Sequence, residues 1–481
     1  MAIDEKLVSE IVKNVMSQLE TRLASPAVNS GNGSSASPSI AGNGIFDDVN
    51  QAVAAAKQAQ KQWLAMPRET KAKVIDALRR AMHEHAETFA RMAQQETGMG
   101  RVADKIVKHH NAADATPGLE DLDVRSWSGD KGLVTEEYAP YGVIAAITPS
   151  THPIPVLLNS IIIIIAPGNS VVFNVHPAAK KVSAYAMEIF HKVIVDNGGP
   201  ANLVCMMREP TMEGVQQLFH HQDIPLIAAT GGPGLVKAAF QAGKKVVAAG
   251  PGNPPVLVDE TACLRTAAKY IIEGAAFDNN ILCIAEKEIF VVEKTFDALM
   301  QAMIDAGAVR LSAQQVDRLT DKAFYRNDKG QLLTSRDFIG KNASVLARAA
   351  GLDLSDEVRL LIGETDSDHP FVQEEQMMPF LPVVRVRDAK EGIEKSVQAE
   401  HGFQHTAMIY SHNLDTITKF TQAIDTDIVV VNGPSLAGNG GYGGEAYFSH
   451  TIASPTGEGI CTPRHFARIR RLATFRSLNQ V

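Results

Sequence analysis

The chain has 481 residues, enough for two or three domains around a large core, and its 54 acidic against 46 basic residues argue against a general nucleic-acid binder. No apolar run reaches the length of a membrane span; the nearest, Val156 to Ile165, is short and is interrupted by Asn159 and Ser160. Four cysteines, Cys205, Cys263, Cys283 and Cys461, lie without metal-ligand spacing, and the N-terminus lacks a secretory-signal pattern, so a reduced cytosolic protein is expected.

Ile3, Leu7, Ile11, Val15 and Leu19 recur four apart over residues 3 to 20, the stripe of an amphipathic helix. Ser25-Pro26 through Gly44 is a tract of Ser, Gly, Asn, Ala and Pro with too little apolar surface to fold, a flexible tether. The helix is therefore an appendage. It either docks on its own body or serves as a ligand for a partner's groove, which needs this stripe and this freedom.

From Asp47 to Glu96 the apolar spacing is helical and breaks at Pro67, and residues 99 to 118 stay helical and polar. Leu133 to Tyr138 alternates as an exposed strand. Tyr141 to Ile147 is an unbroken apolar run, hence a buried strand, ending in the loop Thr148-Pro149-Ser150-Thr151-His152-Pro153. The five isoleucines at 161 to 165 have strand propensity by themselves. Ser170 to Val175, Asn202 to Met206 and Ile224 to Ala229 read as further buried strands, with a helix from Ala178 to Asp196. This βαβα alternation argues for an α/β fold with an open, mainly parallel sheet, whose ligands bind at the carboxyl ends of the strands. Thr230-Gly231-Gly232-Pro233-Gly234 lies between a strand and a helix start, where backbone N–H groups and the helix dipole favour a pyrophosphate; a purely structural helix start fits the same residues.

Gly250 to Pro255 is a rigid turn that marks the crossing into a second domain. Its expected elements are a strand at 256 to 258, a helix at 264 to 276, a strand at 288 to 292 and helices to about 350. Val383 to Val386 and Ala407 to Tyr410 alternate as strands, and Ile428 to Val431 reads as a buried one. The Gly-rich tract 438 to 444 is either a mobile loop near the site or a packed turn region. Before the strand at 288, one thiol, Cys283, follows a polar turn; it is held by the strand yet accessible, and a thiolate there is a strong nucleophile toward a carbonyl carbon.

The segment FDNNILCIAEKEIFV, residues 277 to 291, resembles the active-site segment of the aldehyde dehydrogenase superfamily in its coenzyme A-acylating branch. Matching pieces follow in the family's order: AAITPSTHP at 145 to 153, PGNSVVFNVHPAAK at 167 to 180, ATGGPG at 229 to 234, AAGPGNPP at 248 to 255 and EEQMMPFLPVV at 374 to 384. The resemblance implies a Rossmann-type cofactor domain (46–117 and 142–251), an α/β catalytic domain (252–447) and a small β oligomerisation arm (118–141 and 448–481), after the helix (1–20) and linker (21–45). It also makes the isoleucine run helical. The implied protein is a homo-oligomer. Its N-terminal helix resembles the encapsulation peptides that carry enzymes into bacterial microcompartments, with shell proteins as partners and the bacterial cytoplasm as the setting.

By the same resemblance Cys283 attacks a short-chain aldehyde such as propionaldehyde, NAD takes the hydride, and coenzyme A takes the acyl group. The oxyanion is held by the Cys283 N–H and a side chain of the 148–153 loop. Gap-free matching gives Thr151 for that side chain; this chain has His152 where acylating relatives often have asparagine, so His152 is the second candidate. Thr148, Pro149, Ser150, Asn174, His176, Pro177, Thr230, Gly231, Gly232, Gly234, Ala249, Gly250 and Glu375 are the implied nucleotide-site residues, with Glu375 on the nicotinamide ribose. Hydrolytic relatives carry a water-activating glutamate where this chain has Ala248, which favours a thiol over water as acyl acceptor. The alternatives are a hydrolytic enzyme using another carboxylate, Glu286 being nearest to the nucleophile in sequence, and an inactive cargo or scaffold protein.

Overall fold

The computed structural model describes residues 43–478; the expected helix over 3–20 and all but the end of the linker lie outside the described residues. Pairing starts with β1 (Ile45–Phe46), followed by α1 (Val49–Ala65), α2 (Arg68–Thr97) and α3 (Val102–Ala115). Asp48 caps α1 by accepting the Gln51 N–H at 2.8 Å. Pro67 separates α1 from α2, and Gly98, at φ 67°, closes α2 in the left-handed conformation.

The hairpin β2 (Arg125–Gly129) and β3 (Gly132–Pro140) leads to β4 (Val143–Ile147), α4 (Pro153–Ile165), β5 (Ser170–Asn174), α5 (Lys180–Asp196), β6 (Val204–Met207), α6 (Met212–His220), β7 (Leu226–Thr230), α7 (Pro233–Gln241) and β8 (Lys245–Ala249). These build a parallel sheet of order β1-β6-β5-β4-β7-β8. Every residue of β4, β5 and β6 is buried, as their unbroken apolar runs require for a sheet covered on both faces. All of α4 is buried too, including the isoleucine run, and a helix apolar on every side has to be a core helix. Asn169 ties this region together. Its Oδ1 accepts the Tyr141 and Gly142 N–H groups at 2.7 and 3.0 Å, and its Nδ2 donates to the Ile164 and Phe466 carbonyls at 3.0 and 2.8 Å.

Past Gly250 the chain enters a second parallel sheet. It runs through β9 (Pro255–Val258), α8 (Leu264–Ala276), β10 (Glu288–Val292), α9 (Glu293–Asp305), β11 (Val309–Arg310), α10 (Ala313–Ala323), the hairpin β12 (Phe324–Arg326) and β13 (Leu332–Thr334), α11 (Ala343–Ala350), β14 (Leu361–Thr365), β15 (Phe380–Val386), α12 (Ala389–Glu400), β16 (Thr406–Tyr410), α13 (Leu414–Ile424) and β17 (Ile428–Val431). The sheet order is β11-β14-β15-β10-β9-β16-β17. Three expectations are corrected here. β11, β12, β13 and β14 interrupt or follow what read as a run of helices. β15 and β16 lie inside the sheet and are buried almost throughout rather than alternating. β17 lies at the sheet edge and alternates between buried and exposed positions.

The chain closes with the hairpin β18 (Ile452–Ala453) and β19 (Gly459–Ile460) and with β20 (Ala467–Ala473). β20 pairs antiparallel with β3, making a three-stranded arm that exposes Trp127, Ile469 and Leu472. The arm was expected to take all of 448–481. β20 and the residues just after it join it, the Thr474 and Arg476 N–H groups donating to the Leu133 and Lys131 carbonyls at 2.8 and 2.9 Å, whereas Ala453, Cys461 and Phe466 are buried in the core around α4. Asn169→Ala is expected to lower stability by about 3 kcal/mol, since buried backbone groups lose their partners at about 1–3 kcal/mol each; denaturant unfolding compared with wild type checks this.

Candidate active site

The loop that carries Cys283 starts with a strained turn. Asp278, Asn279 and Asn280 stand at φ 47°, 57° and 66°, three consecutive left-handed residues, a conformation that Asp and Asn tolerate best among side-chain-bearing residues. Each is pinned. The Asp278 carboxylate accepts the Arg101 N–H at 2.7 Å and pairs with Lys105 at 3.1 Å and with Lys108. Asn279 accepts from Arg101 Nε at 2.9 Å and donates to the Gly340 carbonyl and Asn342 at 3.0 and 2.9 Å. Asn280 donates to the Ala275 and Glu286 carbonyls, both at 2.9 Å, and its own two oxygens accept from Lys287 Nζ at 2.8 and 2.6 Å.

Cys283 follows this turn, partly exposed, in the wall of a cleft of about 570 Å³ between the two sheets. The cleft size is typical of small-molecule sites. Burial, and then the charge of Glu375, push the Cys283 thiol up to about 12, with Lys287 pulling the other way. Glu375 is itself pushed up to about 7 by burial, opposed by Lys287 and a bond from the Gly252 N–H. Burial brings Lys287 down to about 8. Burial and the Glu375 charge thus favour the thiol form of Cys283, and the Lys287 charge favours the thiolate.

Thr148 to His152, in the loop that follows β4, line the same cleft as Cys283. His152 is held on two sides: its Nδ1 lies 2.8 Å from Lys108 Nζ, and its ring stacks on His450 at 5.4 Å between centroids with 19° between planes. Burial and the Lys108 charge keep its pKa well below the ordinary histidine value. Lys108 also reaches the Thr151 carbonyl at 3.5 Å.

Thr148, Asn174, Thr230 and Ala249 end β4, β5, β7 and β8 or directly follow them, so four parallel strands deliver their carboxyl ends to one cleft. Gly232 caps α7, and a side chain added there would meet nothing within 4 Å, leaving the helix N-terminus open to a ligand. Thr148 Oγ1 and Asn174 Oδ1 are buried polar atoms without a protein partner. His176 is turned locally, its Nδ1 accepting the Ala178 N–H at 3.1 Å.

All the residues expected from the sequence, His176, Pro177, Gly250 and Glu375 among them, line this cleft except Gly234. Gly234 is exposed in the first turn of α7, because the helix end presents Gly232 and Pro233 instead. Met212, Leu235, Met377, His450 and Ile452 line the cleft without having been expected; their apolar or histidine side chains read from sequence as ordinary core. Glu286, the alternative base, is fully buried outside the cleft lining and accepts from the Ser435 N–H and hydroxyl, both at 2.9 Å. Ala248 is buried in the packed layer beneath the sheet, and Glu375 is the carboxylate that lines the cleft. The tract 438–444 is a packed turn region in its contacts: the Tyr442 N–H donates to Asn111 at 3.1 Å and the Tyr442 ring meets Phe277.

A cysteine between two parallel α/β sheets, at a cleft formed by strand ends and a helix N-terminus, is the arrangement of a covalent, nucleotide-dependent enzyme. The aldehyde dehydrogenase family model matches residues 42–446, and the chain belongs to the aldehyde dehydrogenase family. The acetylating acetaldehyde dehydrogenase EutE of Salmonella typhimurium is 46% identical over 430 residues, covering 89% of this chain and 91% of that protein. The structure of a propionaldehyde dehydrogenase from the Clostridium phytofermentans fucose utilisation bacterial microcompartment aligns with TM-score 0.88 at 46% identity, over 91% of this chain and 100% of that one. The propionaldehyde dehydrogenase of Rhodopseudomonas palustris, solved with bound CoA and an acylated cysteine, aligns with TM-score 0.88 at 39% identity, over 92% and 100%.

The electrostatics give a testable order of thiol reactivity. Cys263 is exposed and its pKa is lowered, first by the hydrogen bond from Thr266 at 3.2 Å, so near neutral pH iodoacetamide is expected to label Cys263 before Cys283. Glu375→Gln removes a charge that disfavours the thiolate. Above about pH 7, where Glu375 is ionised, this substitution is expected to speed Cys283 alkylation, and well below that pH to leave it unchanged; peptide mass spectrometry across pH checks both.

Proposed function

We propose that the protein is a coenzyme A-acylating aldehyde dehydrogenase that converts a short-chain aldehyde, propionaldehyde, to its acyl-CoA with NAD. The carrying observation is the single cleft that joins Cys283 to the ends of β4, β5, β7 and β8 and to the open α7 N-terminus. The buried, partnerless Thr148 Oγ1 and Asn174 Oδ1 and the open Gly232 fit a nucleotide. Thr148 to Ser150, Asn174 to Pro177 and Thr230 to Gly232 would hold the cofactor's adenosine and pyrophosphate, and Glu375 the nicotinamide ribose. Bound there, NAD supplies the hydride acceptor.

Cys283 as thiolate adds to the aldehyde carbon, and the carbonyl electron pair moves onto oxygen, giving a thiohemiacetal anion. The Cys283 N–H and a donor from the 148–153 loop hold that oxygen. Loss of hydride from the former aldehyde carbon leaves an acyl thioester on Cys283. The CoA thiolate then adds to the acyl carbon and the Cys283 thiolate departs. Ala248 carries no base to activate water, which favours thiolysis over hydrolysis. CoA also carries an adenosine and a pyrophosphate, and the Gly-rich tract 438–444 is not part of the cleft lining, so the same cleft serves NAD and CoA in succession.

Two features extend the reading to the assembly. The apolar exposure of Trp127, Ile469 and Leu472 on the arm supports a homo-oligomer. The amphipathic pattern of residues 3 to 20 supports delivery to a microcompartment shell. NADH formation from propionaldehyde is expected to require CoA for sustained turnover and to vanish in Cys283→Ser, while the other three cysteines tolerate Ser. Turnover sustained without CoA, with release of free acid, would favour the hydrolytic reading and make Glu375 its candidate base. Deleting residues 1 to 20 is expected to leave kcat and KM within about twofold and to abolish co-purification with shell proteins.

A further inference from the structure

Resting on the proposed thioester chemistry at Cys283, we infer that Lys108 is a positioning residue that holds His152 as the Nε2–H tautomer, making His152 the second oxyanion donor and tying it through Asp278 to the nucleophile's own turn. The geometry assigns the protons. Lys108 is buried, and its Nζ meets three acceptors: the Asp278 carboxylate, His152 Nδ1 at 2.8 Å and the Thr151 carbonyl at 3.5 Å. An ammonium has three N–H donors and no acceptor. Three acceptors for three protons leave His152 Nδ1 without a hydrogen, so the neutral imidazole carries its proton on Nε2.

The rest of the environment supports that state. Burial and the adjacent ammonium disfavour a doubly protonated ring. The ring plane is set by the stack on His450, which meets Phe448 edge-on at 4.8 Å. His152 lines the cleft with Cys283, and with Nδ1 occupied, Nε2–H is the donor it has left to offer. Asp278 carries the link onward. The carboxylate that accepts from Lys108 belongs to the left-handed turn five residues before Cys283. One buried ammonium therefore joins the two loops between which the oxyanion forms. Seen in this way, the histidine replaces the family's asparagine by supplying the same kind of N–H donor, but it needs Lys108 to choose its tautomer.

The test is a double-mutant cycle on the full-length enzyme plus one measurement on the wild type. His152→Ala is expected to lower kcat for propionaldehyde by about 10²-fold, the usual loss for one oxyanion donor. Lys108→Met is expected to lower kcat by a similar factor with KM for NAD unchanged. Because Lys108 also pairs with Asp278, the cycle is read on the coupling: adding Lys108→Met to His152→Ala should cost clearly less than the product of the two single losses. Losses that multiply, or a His152→Ala enzyme with near-normal kcat, would overturn the inference. Nitrogen NMR of wild-type protein with isotope-labelled histidine, the His152 signals identified by their loss in His152→Asn, reads the tautomer without relying on either variant. A bare Nδ1 and a protonated Nε2 support the assignment, and a protonated Nδ1 refutes it. Propionyl-CoA formation by the wild type is measured in parallel, so failure of the underlying reaction is distinguishable from failure of this positioning role.

Discussion

Three consecutive left-handed residues, Asp278, Asn279 and Asn280, set the path of the chain into Cys283. Left-handed backbone costs roughly 1–2 kcal/mol per residue for most side chains, and a fully buried carboxylate such as Asp278 costs several kcal/mol more unless it is paired. The turn persists because α3 and Lys287 supply what it lacks: Lys105 and Lys108 for the carboxylate, the Arg101 N–H and guanidinium for Asp278 and Asn279, and the Lys287 ammonium for Asn280. A neighbouring ion pair, part-exposed Arg359 with buried Asp104 at 2.5 Å, extends this array, and Asp104 in turn accepts the Asp278 N–H at 2.8 Å. Strain at the nucleophile is balanced by hydrogen bonds to charged groups, each worth about 1.5–3 kcal/mol. Because the first sheet's helical layer supplies most of these partners, the cysteine loop of the second sheet is anchored to the sheet that forms the opposite side of the cleft.

The same array shapes the chemistry. Lys108 and Lys287 are buried lysines, one reaching His152 and the other the Asn280 turn. Cys283 is held as a thiol by burial and by Glu375, with Lys287 opposing. A change that neutralises Glu375 or keeps Lys287 charged moves the thiol toward its reactive form. An acyl group on Cys283, as proposed, would face a cleft whose lining carboxylate is Glu375, while Glu286 is occupied by Ser435 and position 248 is a packed alanine. On the proposed chemistry, the site would favour transfer of the acyl group to a thiol over its loss to water.

Much of this was legible in the sequence where one strand or one motif carries the signal by itself. The apolar runs of β4, β5, β6 and β7 read as buried parallel strands, and the turn after β7 and the loop after β4 lie where ligands bind. The isoleucine run was ambiguous by periodicity, since its residues are buried on every side and no face distinguishes helix from strand. Edge position is equally invisible: β17 has an apolar sequence, yet Val429 is only partly buried and Val431 is exposed because no strand follows it in the sheet. The polar stripe of α3 was the instructive miss. Lys105 and Lys108 belong to a stretch that reads as a polar helix but are buried, because their partner Asp278 lies about 170 residues away in sequence. No local pattern encodes that pairing. His450 escaped for the same reason, its role being defined by the ring it stacks on.

The central claim is that the acyl group rests on Cys283 and leaves only to a thiol. Incubating the protein with propionaldehyde and NAD in the absence of CoA, quenching in acid and mapping the peptides by mass spectrometry tests it most directly. The account predicts one propionyl group per chain on the Cys283 peptide, stable in water over the time of many turnovers and discharged as propionyl-CoA when CoA is added. No adduct on Cys283, or an adduct that clears to propionate without CoA as fast as it does with it, would contradict the account.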